Sequence, residues 1–307
     1  MDLSVIIPAH NEAEFIEKCC SAVHDQLKVS GLSYEVILVD NGSTDDTVST
    51  ASKFQPISVF SINRSSVSTA RNFGYEKSSG RILAFIDADV AITGTWVEEI
   101  KKQLQEIFSR PVVTGCQYSI RKDPSWIESN WFSCINSNHI NGGNLIVSKS
   151  AFEYLGGFND KLKTGEDVEF CNRSKSHNEI LYKQNEGFVA VHLGYPRDLA
   201  HFVRREAWHG EGDFSSFRYF ISSKVAIISV FYFVSQISVI FLFVFGFYNY
   251  FIVFFIFIFI FNILITIYRF GPSSCNGLLP KSFLNYLYFT ARFWSLFQAF
   301  QKRRKSY

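Results

Sequence analysis

Asp87 and Asp89 are the residues whose types and spacing indicate most about the chemistry of this chain. They follow the apolar run Ile82–Ile86, which is typical of a buried strand in a parallel sheet. Open α/β sheets bind ligands at the carboxyl ends of their strands, so both carboxylates are expected at such a crevice. Carboxylate oxygens suit a hard divalent cation, and such a cation binds phosphates. The alternative is a polar strand end or helix cap that binds nothing.

Four further polar segments could contribute to the same crevice. Two follow predicted strands, one lies in a predicted helix, and one precedes a helix. They are residues 7–12, residues 39–45, residues 70–74 and residues 165–169. Because the carboxyl ends of parallel strands meet at one edge of a sheet, we expect the first two segments to converge with the aspartate pair.

The elements that must position these segments alternate along the first hundred residues. This alternation of apolar runs and polar helical stretches indicates a parallel sheet covered by helices. The predicted strands are Leu3–Ile7, Tyr34–Val39, Ile57–Ile62 and Ile82–Ile86, and the predicted helices are Glu12–Leu27, Thr44–Lys53, Ser66–Lys77 and Trp96–Phe108. After Pro111 the alternation ends. The elements expected there are strands at Val112–Ser119, Ile180–Lys183 and Phe188–His192 and helices at Ser148–Leu155, Val168–Ser176 and His201–Phe220.

Residues 225–268 contain no Asp, Glu, Lys or Arg. They form two consecutive apolar runs, residues 225–247 and 248–268, each near the roughly 20 residues that cross a bilayer core. A buried hairpin in a soluble protein is the alternative, although soluble helices rarely run so long without a charge. Residues 278–300 are expected to form an interfacial helix, with a third span as the alternative. Cations flank the runs on one side, which predicts an inner- or plasma-membrane protein with its N-terminal domain in the cytoplasm.

The bulk composition limits the choice of partners and compartments. The 307 residues carry a net charge of +2, which gives no electrostatic reason to expect a nucleic-acid partner. The basic stretch at residues 301–305 could attract anionic lipids. The six cysteines lack Cys-x-x-Cys spacing, so we expect neither a zinc site nor a disulfide framework, and scattered thiols fit a reducing compartment. The N-terminus lacks the pattern of a signal peptide, so the first strand should begin almost at Met1.

The motifs, in their order over residues 3–215, resemble the family 2 inverting glycosyltransferases with the GT-A fold. Each motif is weak alone, and the order of five carries the resemblance. They are Pro-Ala-His-Asn-Glu at 8–12, Val-Asp-Asn-Gly-Ser-Thr-Asp at 39–45, Ala-Arg-Asn-Phe-Gly at 70–74, Asp-Ala-Asp at 87–89 and Gly-Glu-Asp at 165–167. The resemblance implies an α/β fold of the nucleotide-diphospho-sugar transferase type, with a mixed sheet flanked by helices. The expected domains are a catalytic domain at 1–220, a transmembrane helical hairpin at 221–270, and an interfacial helix with a basic tail at 271–307.

The resemblance also implies roles for individual residues. Asp167 would be the catalytic base, and Asp89 with His192 would bind Mg²⁺ or Mn²⁺. The donor would be a UDP- or GDP-sugar held by residues of several segments. These donor-binding residues are Pro8, His10, Glu12, Asp40, Arg71, Asp87, Gly143 and Asn144.

Several of these residues have a plainer structural interpretation. Asp40 could be an ordinary turn residue, and Glu12 and Asp167 could be acids that the first turn of a helix favours. Arg71 could be a solvated helix residue, and His192 a structural histidine at a strand end.

The expected function is the transfer of one sugar, with inversion, to a membrane-associated acceptor such as a lipid-linked glycan. The alternatives are a polyprenyl-phosphate hexosyltransferase, a nucleotidyltransferase and a non-catalytic membrane scaffold. Processive synthases carry a Gln-x-x-Arg-Trp motif that residues 205–208 do not reproduce, which favours a single addition. Arg204, Arg205, Trp208 and His209 form a basic, aromatic patch that would bind the diphosphate or the acceptor, or else anchor the chain beside the membrane.

Overall fold

A seven-stranded mixed sheet organises the N-terminal two thirds of the chain in the computed structural model. The structure describes residues 1–307 except 136–137, 163, 215–216, 272–276 and 306–307, and it leaves out the side chains of 218–219 and 297–305. Cys275 and the side chains of the basic stretch 301–305 therefore lie outside the described residues. Two compact units are present, one formed by Met1–Lys122 with Ser137–Gly194 and the other by Asp123–Asn136 with Tyr195–Tyr307.

The main sheet of the first unit has four parallel strands at one side and a mixed part at the other. Its strands are β1 (Leu3–Ala9), β2 (Tyr34–Asp40), β3 (Ile57–Ser61), β4 (Ile82–Ile86), β6 (Val112–Gly115), β7 (Asn144–Ser148) and β8 (Leu181–Gln184), and a separate ribbon pairs β5 (Val90–Ile92) with β9 (Ala190–His192). The order is β3-β2-β1-β4-β7-β6-β8, in which β7 runs antiparallel to both of its neighbours. The mixed sheet flanked by helices that the motifs implied is thus confirmed.

Helices cover both faces of the sheet, so the central strands are buried on both sides. The helices of this unit are α1 (Ile16–Lys28), α2 (Thr47–Ala51), α3 (Val67–Glu76), α4 (Gly94–Ser109), α6 (Lys149–Leu155) and α7 (Glu166–Lys175). Alternate residues of β1 point to opposite faces: Val5 belongs to the apolar cluster that includes Trp96 of α4, and Ile6 belongs to the cluster that includes Phe152 of α6. This double burial explains why the strands read as continuous apolar runs in the sequence.

Three element boundaries differ most from the sequence expectations. The first helix begins at Ile16 rather than Glu12, since residues 13–15 form a turn, and the N–H groups of Glu12 and Ala13 donate to Thr47 Oγ1 and Asp45 Oδ2. Strand β6 ends at Gly115, whose φ of 133° breaks the extended run that was expected to reach Ser119. The expected helix 201–220 is two helices, α8 (Leu199–Gly210) and α9 (Phe217–Ser222). Gly210 and Gly212 lower helix propensity at this break.

The second unit contains a short helix, α5 (Trp126–Asn130), and two long apolar helices, α10 (Lys224–Val244) and α11 (Tyr248–Phe270). Their most apolar windows have mean hydropathies of 2.4 and 2.8, and only 17% and 11% of the window residues are buried. A core helix of a soluble protein would be mostly buried, whereas these helices expose bulky apolar side chains. By length and composition both helices could cross a membrane.

A third helix of this unit, α12 (Leu278–Lys305), joins the two apolar helices through polar side chains. Tyr232 Oη donates to Asn262 Oδ1 at 2.7 Å, and Asn262 Nδ2 donates to the Ser282 carbonyl at 2.9 Å. Gln236 Nε2 donates to Thr290 Oγ1 at 2.8 Å. The buried polar groups named here therefore satisfy one another between the helices.

Replacing Gly74 by alanine should destabilise the first unit. Gly74 lies in α3 against the sheet, where an added Cβ would overlap Ile6 Cγ2 and lie 3.2 Å from Val39 Cγ2. Overpacking of this kind costs about 1–3 kcal/mol. Gly94→Ala is the matched control, because its Cβ would meet only the flexible end of Gln26. Denaturant unfolding of both variants checks this; an unchanged midpoint for Gly74→Ala would contradict the packing described.

Candidate active site

The loops after β1 and β2 lie side by side at the carboxyl edge of the sheet. Asn11 has a φ of 55°, which turns the chain after β1. Its N–H donates to Ser43 Oγ at 3.0 Å, and its Oδ1 accepts from the Thr44 N–H at 2.8 Å. Asp40 pairs with Ala9, so this acid ends β2 directly beside the end of β1. The segment at residues 7–12, which was predicted to bind the donor, is therefore tied to the loop that carries Asp40.

Three of the predicted donor-binding residues belong to this pair of loops. Pro8 is buried in β1 opposite Val39, and His10 follows the strand directly. Asp40 accepts the N–H of Ser43 on its Oδ1 at 3.0 Å, which is the turn interaction offered as its alternative role. This bond is compatible with a further contact, since a carboxylate has about four lone-pair sites.

Asp87 follows β4 and has a bond to each carboxylate oxygen. Arg71 Nη2 donates to Oδ1 at 2.7 Å, and the hydroxyl of Tyr118 donates to Oδ2 at 2.7 Å. Burial alone would raise the pKa of Asp87, but Arg71 and the Tyr118 hydrogen bond outweigh burial and lower it. Asp87 is therefore an ionised, rigidly held acid at the strand end.

The guanidinium of Arg71 lies between two acidic segments of the chain. Its Nη1 donates to Glu166 Oε1 at 2.8 Å, and its side chain is only 3% exposed. Burial acts to lower the pKa of Arg71, but the charges of Asp87 and Glu166 more than compensate and raise it. The alternative of a solvated helix residue does not describe Arg71, since both of its terminal nitrogens serve to hold the acids.

Gly142 and Gly143 pack flat against these charged side chains. A Cβ on Gly142 would lie 2.8 Å from Arg71 Nη1, and one on Gly143 would overlap the Asp87 carboxylate. The Gly143 carbonyl accepts from the Asp87 N–H at 3.3 Å. Glycine is needed at both positions for this close approach.

Asp167 lies at the start of α7 and contacts the same glycine segment. Its Oδ2 accepts from the Gly142 N–H at 3.1 Å, and His139 Nε2 lies 3.8 Å from that oxygen. Gly142 thus connects the predicted base to Gly143 and Asp87. The sequence predicts that Asp40, Asp89 and Asp167 share one crevice. In the structure Asp40 ends β2 and Asp87 follows β4 at the same edge of the sheet, and Asp167 is linked to Asp87 through Gly142 and Gly143.

Asn144 was predicted to contact the donor, but its side chain is fully buried. Its Oδ1 accepts from Trp96 Nε1 at 2.9 Å, and its Nδ2 donates to the Phe188 carbonyl at 2.8 Å. The side chain thus fastens β7 to α4 and to the segment before β9. A donor contact by this residue would have to come from its backbone.

Asp89 and His192 are the pair predicted to bind a metal, and their Oδ2 and Nε2 atoms lie 3.4 Å apart. The β5–β9 ribbon brings them together, because Val90 pairs with His192. Gly194 closes around Asp89, since a Cβ there would overlap its Oδ2. Within the described residues, no group of three or more His, Cys, Asp or Glu side chains forms a ready metal site. The Asp89 carboxylate fits Mg²⁺ or Mn²⁺, and the His192 imidazole would be a second ligand, with the other positions left to water and phosphate oxygens.

Sequence reasoning missed Tyr118, His139 and the ion pair of Glu166. Tyr118 was counted only as part of a strand, and its partner Asp87 is 31 positions away. No sequence periodicity predicts such a contact, because it depends on how β6 and β7 lie beside β4. A glutamate next to the predicted base was the one signal that could have indicated Glu166.

Glu12 should make the stability of the protein pH-dependent. Burial, followed by the charges of Asp89, Asp87 and Asp45, raises its pKa from 4.5 to about 8. Between these two values the folded state holds a proton that the unfolded chain has lost. The free energy of unfolding should therefore fall as pH rises through this window.

The measurement is denaturant unfolding at pH 5 and pH 8 with a chelator present. Glu12→Gln should lose less stability than the wild type over this interval, because glutamine stays neutral. Glu14→Gln, at an exposed neighbouring position, should behave like the wild type. Equal losses in Glu12→Gln and the wild type would contradict the prediction.

The chain is similar to known proteins both in sequence and in fold. Residues 4–165 match the model of glycosyl transferase family 2. The chain is 32% identical over 189 residues to glycosyltransferase AglE of Haloferax volcanii, covering 56% of this chain and 60% of AglE, so it spans less than two thirds of that relative.

Two solved structures share the fold. Mannosyltransferase PcManGT from Pyrobaculum calidifontis, in complex with GDP-Man and Mn²⁺, has a TM-score of 0.52 at 19% identity and covers 69% of this chain and 63% of its own. S. aureus TarS 1-349 in complex with UDP-GlcNAc has a TM-score of 0.50 at 18% identity, with coverages of 68% and 66%. With its family model matched over more than half of its length, the chain belongs to glycosyl transferase family 2.

Proposed function

We propose that this protein transfers one sugar, with inversion, from a nucleotide-diphosphate sugar to an acceptor held at a membrane. The observation that carries the proposal is the gathering of Asp40, Asp87 and Asp167 at one sheet edge, with Asp87 and Asp167 joined through Gly142 and Gly143. Family membership supports the glycosyl-transfer chemistry. The complexes of two structural neighbours with UDP-GlcNAc and GDP-Man support a UDP- or GDP-sugar as donor.

The donor would bind along the carboxyl edge of the parallel strands. Pro8, His10 and Glu12 would enclose the nucleoside, with Asp40 accepting a hydrogen bond from the base. Asp87 would contact the ribose. Arg71 would act there indirectly, because its guanidinium holds Asp87 in place.

The diphosphate would lie toward Asp89 and His192, which would hold Mg²⁺ or Mn²⁺. When bound, the cation supplies positive charge that stabilises the departing nucleoside diphosphate. A structural neighbour in complex with Mn²⁺ supports this choice. The backbone of Gly143 and Asn144 would line the sugar site.

Asp167 would act as the general base. Inverting transfer needs one carboxylate on the side of the acceptor, opposite the leaving group. As the acceptor oxygen bonds to C1 of the sugar, its proton passes to Asp167 and the bond from C1 to the phosphate oxygen breaks. The Gly142 N–H orients this carboxylate from the protein side.

Membrane attachment would keep the enzyme beside a lipid-linked acceptor. The two apolar helices support a hairpin at 221–270, following a cytoplasmic catalytic domain at 1–220. Residues 271–307 would form the interfacial helix and basic tail. Growing lipid-linked glycans and polyprenyl phosphates are the acceptors that this placement favours.

Transfer should be detectable with the full chain in lipid nanodiscs, Mn²⁺ and a membrane extract as the acceptor source. A panel of UDP- and GDP-sugars is scored for release of nucleoside diphosphate, and chelation of the metal should abolish release. Release of pyrophosphate instead would indicate a nucleotidyltransferase. The absence of turnover from folded protein with every donor would count against the proposal and favour a non-catalytic role.

Asp167→Asn should separate the two acceptor classes. With a hydroxyl acceptor, loss of the base should lower kcat by about 100-fold or more. With a phosphate acceptor, which needs little or no base, activity should be retained, and the protein would be a polyprenyl-phosphate hexosyltransferase. Asp160→Asn, at an exposed position away from these contacts, is the matched control and should keep wild-type activity.

Tryptophan fluorescence should show how α12 meets the bilayer. The two apolar helices contain no tryptophan, Trp96 and Trp131 are buried, and Trp126, Trp208 and Trp294 are about half exposed. If α12 lies at the interface, lipids brominated near the headgroups should quench more strongly than lipids brominated at the chain ends.

Trp294→Phe and Trp208→Phe each remove one exposed reporter and should reduce this quenching. Trp96→Phe removes a buried indole of the first unit and should leave it unchanged. Stronger quenching from the chain ends would indicate a third span. No quenching by either lipid would contradict membrane contact at these positions.

A further inference from the structure

The site residues close into a ring of contacts that no single motif of the sequence contains. Starting at Asp87, the ring passes through Arg71 to Glu166 by two ion pairs and then along the chain to Asp167. It continues from the Asp167 carboxylate to the Gly142 N–H and along the chain to Gly143. The last link returns to Asp87 through the hydroxyl of Tyr118. The members of the ring are Asp87, Arg71, Glu166, Asp167, Gly142, Gly143 and Tyr118.

The Tyr118 hydroxyl donates one hydrogen bond and accepts another in this ring. It donates to Asp87 Oδ2 at 2.7 Å and accepts from the Gly143 N–H at 3.0 Å. Burial and the nearby charge of Asp87 raise the pKa of Tyr118 well above its ordinary value, so the hydroxyl keeps the proton that it donates. No other hydroxyl group belongs to the ring as described.

The ring has little room to rearrange around Tyr118. An added Cβ on Gly143 would lie 2.5 Å from the Tyr118 oxygen and would also overlap Asp87. The Tyr118 ring packs edge-on against His192, with centroids 4.8 Å apart. The same side chain thus contacts the acid of β4, the glycine segment and one predicted metal ligand.

We propose that Tyr118 is a positioning residue of the transferase. Through its hydrogen bonds to Asp87 and Gly143, the Tyr118 hydroxyl fixes the distance between Asp87, on the donor side, and the glycine segment. That segment orients the base Asp167. The assignment to catalysis rests on the proposed function, while the mechanical coupling of the ring does not.

The coupling follows from what the loss of the hydroxyl would leave behind. In Tyr118→Phe, Asp87 keeps Arg71 but loses its bond on Oδ2, and the Gly143 N–H loses its acceptor. Gly143 is buried and Asp87 is half-buried, and a buried polar group that loses its hydrogen-bond partner is costly. The glycine segment should then loosen, and the orientation of Asp167 should loosen with it through Gly142.

Amide hydrogen exchange tests the coupling without any need for turnover. In Tyr118→Phe, exchange should become roughly fivefold faster or more in residues 139–146 and in residues 165–170. Tyr75→Phe is the matched control, since it removes a tyrosine hydroxyl of the same unit that donates to a carboxylate, Glu153 Oε1 at 3.1 Å, outside the ring. Unchanged exchange in both segments of Tyr118→Phe would overturn the ring as a coupled unit.

Kinetics test the positioning role with the donor found for the wild type. Tyr118→Phe should lower kcat about tenfold, since small misplacements of reacting groups are costly, with a smaller effect on the acceptor KM. Tyr75→Phe should retain wild-type kcat. In a double-mutant cycle, adding Tyr118→Phe to Asp87→Asn should cost less than it does alone, because the hydroxyl acts through Asp87.

The possible failures can be told apart. A wild-type kcat in Tyr118→Phe, or strictly additive effects in the cycle, would overturn the positioning role. If the wild-type protein turns over no donor, the proposed function fails, and the exchange measurement still decides whether the ring is coupled.

Discussion

The site depends on one buried cation, the guanidinium of Arg71, held between the carboxylates of Asp87 and Glu166. Removing a partner from a buried ion pair leaves an uncompensated charge at a cost of about 3–5 kcal/mol. This makes the end of β4 and the start of α7 energetically dependent on each other, although 79 positions separate Asp87 from Glu166. The positive charge of Arg71 compensates the negative charges of Asp87 and Glu166, which explains why both acids can lie close together at the site.

The mixed topology of the sheet is the second requirement. Four parallel strands bring the ends of β1, β2 and β4 to one edge, as the strand rule for open α/β sheets requires. Strand β7 then returns antiparallel beside β4, pairing Asn144 with Ile86. This register places Gly142 and Gly143, which precede β7, against Asp87, which follows β4. A parallel strand in the place of β7 would have begun at the opposite edge of the sheet, and the segment before it would have lain away from Asp87.

The second unit combines an apolar exterior with polar contacts between its helices. Asn262 links α10 and α12 through Tyr232 and Ser282, and Arg269 packs over the rings of Trp131 and Tyr288. Polar groups buried from water must be paired, and here neighbouring helices provide the partners. The outward side chains are bulky and apolar, which is the distribution expected of helices in contact with lipid rather than water.

Much of this protein could be predicted from local patterns. The apolar runs located β1–β4, the 44 residues without charge located the apolar helices, and the order of the motifs identified the family. These predictions succeed because periodicity, turn chemistry and motif order depend on residues that are near one another in the sequence. The Asp87, Asp89 and Asp167 motifs were also recognised this way, although their roles in catalysis remain proposals.

Only the tertiary structure decided how these motifs are connected. Arg71 was expected to bind the donor, but both of its terminal nitrogens are bonded to acids. Asn144 was also expected at the donor, but its side chain is hydrogen-bonded to Trp96 and Phe188. Tyr118 had no sequence signal at all. Such contacts join residues that are 16 to 95 positions apart, and their partners are selected by strand order and register. A chain read residue by residue specifies which groups are available, whereas the packing of the sheet determines which of them meet.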